Sequence, residues 1–159
     1  MKKTGKMLSP PQYPAGAEWK LVTISTPSKI ESLNVGLHNE RRHWGINWRN
    51  KQDIVKELYV LFNPYRDVLD KAIANVRRQV TITSVRTKLL DEVDNLKGGC
   101  QPWVNALKLK GGIGVIEDDD PEHTDFVVDQ RLCRSKDAME NRQPEPPHTE
   151  IEVVFLARE

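Results

Sequence analysis

Apolar and polar positions alternate first in Trp19-Lys20-Leu21-Val22-Thr23-Ile24-Ser25. This β-branched run predicts a strand that Pro27 ends. Residues 1–18 hold three prolines and two glycines with no apolar period, and read as a mobile N-terminal arm before a domain at 19–159. Residues 28–50 show no clear period, and their Asn and Gly content among Trp44, Trp48 and several arginines suggests a long ordered loop with an optional hairpin. From Asp53 the spacing becomes helical. Ile54, Val55, Leu58 and Leu61 share one face, Asn63-Pro64 interrupts it, and Tyr65, Val68, Leu69, Ala72, Ile73 and Val76 resume it. Val80–Val85 predicts a strand leading into Asp91–Leu96, and Gly98-Gly99 predicts a break. Pro102 suits the first turn of a further helix with Trp103, Val104 and Leu107 on its apolar side, stopped at Gly111-Gly112. Short strands are expected at Ile113–Ile116, Phe126–Val128 and Ile151–Leu156, with a proline-rich, charged loop at 135–149. The order of elements predicts one α+β domain, a mixed β-sheet with helices packed mainly on one side.

Composition narrows the picture. A chain of 159 residues, 38% apolar and 30% charged, fits a single polar globule without a disulfide scaffold. No apolar run approaches the ~20 residues that span a bilayer, and the basic Met1–Lys6 stretch lacks a following apolar segment, so neither a membrane span nor a secretory signal is expected. Cys100 and Cys133 form no Cys-x-x-Cys pair and read as reduced thiols of a cytoplasmic protein. Twenty-four basic and 23 acidic residues nearly cancel, but they segregate: Arg41, Arg42, His43, Arg49, Lys51, Arg77, Arg78, Arg86 and Lys88 against Glu117–Asp120 and Glu122. Such patches could divide phosphate and cation binding between them, or simply be two solvated faces.

The carboxylates carry the most chemistry. Glu92 and Asp94 lie two apart at the end of a predicted strand, where they share a face, and Asp118 and Asp119 follow a second apolar segment after a helix. If the fold joins those segments, three or four carboxylates surround one point, and their repulsion calls for a hard divalent cation, Mg2+ or Mn2+. Without further pattern, Glu117–Asp120 reads rather as a solvated turn, and Glu92 as part of a surface strand. The four histidines show no paired zinc spacing, although His123, close to Asp119, could serve as a proton shuttle. An EF-hand is excluded because His123 stands where its loop needs glycine, Gly111–Gly114 lacks the Lys-Ser/Thr of a phosphate loop, and Cys100 reads as packing.

Several elements in order, Asp94-Asn95-Leu96, Gly98-Gly99-Cys100, Ala106-Leu107 and Gly114-Val115-Ile116-Glu117-Asp118-Asp119-Asp120-Pro121, closely resemble the core of the RusA-like, phage-type Holliday junction resolvases over roughly residues 80–135, with a similar closing strand at 151–156. The resemblance implies a RusA-like fold and a Mg2+-dependent homodimeric endonuclease that hydrolyses phosphodiesters of four-way or branched DNA in recombination and repair, leaving 5′-phosphates. It implies a bacterial cytoplasm and a phage or prophage setting. It places metal ligands at Glu92, Asp94, Asp118 and Asp119, and catalytic positions at Asp94, Asp119, Glu92, Asn95 and Gln101, with Asn95 orienting a ligand or a phosphate oxygen. Two departures stand out: Glu92 replaces the first aspartate, and Gln101 replaces the helix lysine that steadies the scissile phosphate, a role open to Lys97 or Lys88. Less strongly, Pro27-Ser28, Asn34 and the basic stretch through Trp44 are similar to the family's N-terminal segment. Arg41, Arg42, Arg77, Arg78 and Lys97 are the expected DNA-backbone contacts. A weakly active or non-catalytic branched-DNA-binding protein is the alternative, and Gln101 favours it.

Overall fold

The computed structural model describes residues 13–30, 44–90 and 93–159, with side chains omitted for 44–50 and 93–95. Strands β1 (Ala17–Thr26), β2 (Arg78–Arg86), β3 (Thr124–Leu132) and β4 (His148–Arg158) form a mixed sheet in the order β1-β4-β2-β3. β4 is antiparallel to both its neighbours, and only the β2–β3 pair is parallel. A parallel pair needs a long crossover. Here the crossover contains α3 (Val93–Leu107), while α1 (Trp44–Phe62) and the short α2 (Arg66–Asp70) lie between β1 and β2 in the chain.

Strand alternation sets the layers. Val22 and Ile24 of β1, Ile151, Val153 and Phe155 of β4, and Val80 and Ile82 of β2 fall on one sheet face and are buried. They join Leu58 and Phe62 of α1 and Leu96, Cys100, Trp103 and Leu107 of α3 in one core. On the opposite face Trp19, Leu21 and Val127 are exposed, while Val85 and Leu156 near the strand ends are buried. One domain with a mixed sheet covered by helices on one side is therefore the architecture.

Several local expectations are corrected. The stretch from Trp44 to Asn50 is helical rather than loop, so α1 begins earlier than its apolar period. β1 begins at Ala17, inside the segment read as an arm. The helical period of 65–76 yields only five residues of α-helix. Beyond it, the end of β4 captures the chain: Ala72 bridges Ala157, Arg158 N–H donates to Lys71 O at 3.1 Å, and Ile73 N–H donates to Leu156 O at 2.7 Å. Asn75, at φ 64°, then turns the chain towards β2.

The largest correction concerns α3. Asp94 lies on a helix, not a strand, and Gly98, Gly99 and Pro102 are inside that helix rather than at its boundaries. Two helical glycines and a proline oppose such a helix by about 5 kcal/mol. Leu96, Cys100, Trp103, Val104 and Leu107 nevertheless form one unbroken buried stripe, and each large apolar side chain buried contributes about 1.5–3 kcal/mol. Burial outweighs propensity. Ile113–Ile116 is likewise no strand. Ile113 N–H donates to Ala106 O, while Val115 and Ile116 N–H both donate to Leu107 O, so the segment caps the C-terminal end of α3.

Candidate functional site

The Asp118–Thr124 turn is built around its own side chains. Asp118 Oδ1 accepts Asp119 N–H at 2.8 Å, and Thr124 Oγ1, at the start of β3, donates to Asp118 O at 2.8 Å. Asp120 Oδ1 accepts Glu122 and His123 N–H, both at 3.0 Å. These bonds hold Asp118 and Asp119 at the N-terminal end of β3. Arg66 and Arg78 brace the preceding segment, donating to Ile113 O at 3.0 Å and Val115 O at 2.5 Å. Arg78 is thus engaged in the fold, and burial lowers its guanidinium pKa from the ordinary value.

Lys108 was not among the residues expected at this site. It follows the last residue of α3 and places Nζ 3.1 Å from Asp119 Oδ1 and 3.9 Å from Asp118 Oδ1. Desolvation raises the Asp119 carboxyl pKa, but the bonds from Lys108 and Asp118 outweigh it and leave a net lowering. The clue in the sequence is position: Lys108 begins a Lys-Leu-Lys-Gly-Gly loop that must double back for Ile113–Ile116 to cap the helix. Asp118 and Asp119, with side chains 51% and 32% exposed, form a hard-oxygen pair open to solvent. Mg2+ commonly binds through one or two carboxylates, substrate phosphates and water, so this donor set fits Mg2+ or Mn2+.

His123 belongs to the same turn. Its Nδ1 is 2.7 Å from Asp120 Oδ1 and its Nε2 is 3.5 Å from Glu117 Oε2. The Asp120 bond is the main reason that the imidazole pKa is raised and the Asp120 pKa lowered. His123, Glu117, Glu122 and Arg78 also line a cavity of about 330 Å³ walled by Leu69, Val76 and Ile116.

The second acidic segment lies elsewhere. Glu92, like Arg41 and Arg42, is outside the described residues, and for Asp94 and Asn95 only the backbone is described. Asp94 is the second residue of α3, and its Cα lies about 21 Å along the helix axis from that of Lys108. A lysine side chain spans about 6 Å, so the Asp119 carboxylate lies within about 9 Å of Lys108 Cα, given the 3.1 Å contact. At least about 12 Å then separates Asp94 Cα from that carboxylate, more than an aspartate side chain and two metal bonds of about 2.1 Å can bridge. β3 agrees. Gln130 exchanges hydrogen bonds with the backbone of Leu90, just before α3, whereas Thr124 holds Asp118. Those two β3 residues are about 20 Å apart. Within one copy of the chain, the backbone places Asp94 and the Asp118–Asp119 pair at opposite ends of α3.

The other expected residues are dispersed. Gln101 donates to Asn105 Oδ1 at 3.0 Å on the exposed side of α3, Lys97 is exposed, and Arg77 lies 3.4 Å from Asp125 Oδ1 with its Nε buried and unpartnered. A separate cluster, Glu145, His148 and Glu150, has ligand atoms close enough for a metal. Arg131 already occupies it, donating to both Glu145 oxygens at 2.5 and 2.9 Å and to Glu150 at 3.1 Å. That cluster is an ion-pair network. Cys100 is buried in the core, its thiol pushed up to about 12 by desolvation, as befits a packing residue.

No family model matches this chain, and no curated protein or solved structure matches it. Among the described residues, no helix is long and apolar enough to cross a membrane.

Proposed function

We propose that this chain is a Mg2+-dependent endonuclease for four-way or branched DNA, acting as a homodimer in recombination and repair within a bacterial cytoplasm, in a phage or prophage setting. The observation that carries the reading is the adjacent, solvent-open Asp118–Asp119 pair, fixed by the turn before β3 with a cationic side chain against it. The reaction class comes from the resemblance of the ordered sequence elements at 94–121 to the RusA-like resolvases. A divalent ion held by these carboxylates supplies charge neutralisation for a phosphate and an acidified water.

The chain's own residues divide the work. Asp118 and Asp119 provide metal oxygens. Asp94, with Glu92 and Asn95 next to it in the sequence, provides the second acidic segment. Because the backbone keeps that segment a helix length from Asp119, the dimer brings the α3 N-terminal end of one copy to the Asp118–Asp119 pair of the other. Lys97, Arg77, Arg41 and Arg42 contribute backbone contacts to DNA.

Cleavage of a synthetic four-way junction in Mg2+, beside a gel shift in Ca2+, tests the function. Asp94→Asn and Asp119→Asn should each abolish cutting while leaving the shift. An equimolar mixture of the two variants should recover part of it, since one site per mixed dimer is intact. Cutting absent from wild-type protein that still shifts the junction would support the second reading, a non-catalytic branched-DNA-binding protein. That reading is favoured by Gln101, an uncharged side chain bonded to Asn105 at the position where the family that the sequence resembles carries a lysine.

A further inference from the structure

The sheet face turned away from the helices carries charge as well as apolar surface. Strand register places Asp125, Asp129, Glu150 and Glu152 on it together with Leu21 and Val127. The guanidinium groups of Arg77 and Arg131 already pair with Asp125 and Glu150. Glu152 and Asp129 are exposed, and among the described residues neither has an ion-pair partner. Leu21, in the row next to Glu152, is 61% exposed. We propose that this face is the docking surface of the chain's own basic N-terminal segment, Lys3 and Lys6 meeting Asp129 and Glu152, with Met7 and Leu8 against Leu21.

The point where the chain enters the fold selects this occupant. Ala17 N–H donates to Pro14 O at 3.1 Å, which turns the chain, and the Tyr13 ring meets Trp19 edge-on with centroids 6.3 Å apart. Trp19 is two residues before Leu21 on β1 and shares its face, so the residues preceding Tyr13 start from that face. Their chemistry is complementary to it. Lys2, Lys3 and Lys6 are basic, Met7 and Leu8 are apolar, and no acidic residue precedes Glu18. Their reach suffices as well. Glu152 pairs with Thr23 in the register, about 14 Å from Trp19, and Asp129 lies about 25 Å away across three strand spacings. The extended chain from Tyr13 back to Lys6 spans up to about 23 Å, and back to Lys3 up to about 33 Å. Other occupants fit less well. A second copy docking through the same face would set carboxylates against carboxylates, and DNA phosphates would meet the same negative charge.

The experiment is zero-length carbodiimide coupling of lysines to carboxylates in the full chain, mapped by mass spectrometry on an equal mixture of 14N- and 15N-labelled protein. The Lys108–Asp119 contact at 3.1 Å provides the internal standard. Links from Lys3 or Lys6 to Asp129 or Glu152, formed within one isotope, are the expected result. Trypsin cleavage after Lys6 supplies a second readout. It should quicken about three- to tenfold in a double variant, Asp129→Asn with Glu152→Gln, and also in wild type at high salt. Both substituted positions are exposed, and circular dichroism checks that the variant is folded. Coupling of Lys108 to Asp119 without any link from the N-terminal lysines to this face would overturn the proposal. Links that join the two isotopes would overturn it in favour of a second copy's segment. An unchanged cleavage rate in the folded double variant, or protection of Lys6 only when junction DNA is added, would overturn it too; the latter result would assign these lysines to phosphates.

Discussion

Replacing Glu145 with glutamine should destabilise the fold at neutral pH by about 2 kcal/mol and should cease to matter in acid. Glu145 is the buried acceptor of the loop between β3 and β4. Its two oxygens take a paired contact from Arg131 at 2.5 and 2.9 Å, and Oε1 also accepts Arg134 N–H at 2.9 Å. The Arg131 bond, chiefly, lowers the carboxyl from its ordinary 4.5 to about 2 and raises the guanidinium pKa. That lowering corresponds to at most about 3 kcal/mol. The Arg131 side chain is 29% exposed, and solvent screening reduces the figure to about 2 kcal/mol. A lowered carboxyl stabilises the folded chain fully above its unfolded value and loses the contribution as pH falls through the folded one. The window is therefore from about pH 4.5 down to about pH 2. Urea unfolding followed by tryptophan fluorescence, run on wild type and Glu145→Gln from pH 7 to pH 2.5, measures the difference directly. The corresponding melting shift at pH 7 is roughly 4–8 °C. A difference below about 0.5 kcal/mol at pH 7, or one that stays constant across the acid range, would refute the assignment of a stabilising charge pair.

Three further predictions concern the site and the loop that leads to it. Gly112→Ala should destabilise by about 2 kcal/mol or more, measured by urea unfolding, because a Cβ there would meet Ala106 O at 2.3 Å and Lys108 O at 2.6 Å, both backbone atoms. Gly111→Ala, with open space around it but a φ of +82°, should cost only about 1–2 kcal/mol of backbone strain. The His123 imidazole should titrate above its ordinary 6.5 in proton–carbon NMR, and Asp120→Asn should bring it down. Since this group's pKa is raised on folding, its stabilising contribution is complete below pH 6.5 and disappears as pH climbs through the folded value; a midpoint unchanged by Asp120→Asn would contradict the Asp120 contact.

Local patterns were legible wherever one residue's neighbours in sequence are also its neighbours in space. Alternation in Trp19–Ser25, the β-branched Val80–Val85 run and Ile151–Leu156 marked three strands, because a half-buried strand writes its two faces at a period of two. The period of Ile54–Leu61 marked the body of α1 for the same reason. Their sum determined an α+β domain with a sheet covered on one side. Punctuation residues misled. Gly98, Gly99 and Pro102 look like a boundary, yet Leu96 to Leu107 is one buried face, and only packing against the sheet reveals that burial exceeds the helix penalty. The spacing of Glu92 and Asp94 implied a shared strand face, but the chain enters α3 there. Chemistry at Asp118 and Asp119 was visible as charge. What partners them was not: Lys108 reaches them because Ile113–Ile116 folds back to cap α3. The separation of Asp94 from that pair was equally hidden, since it depends on the rise of a 15-residue helix. Sequence determines which residues can bind a cation or bury a face, whereas distances between segments far apart in the chain exist only once long-range hydrogen bonds and core packing have set them.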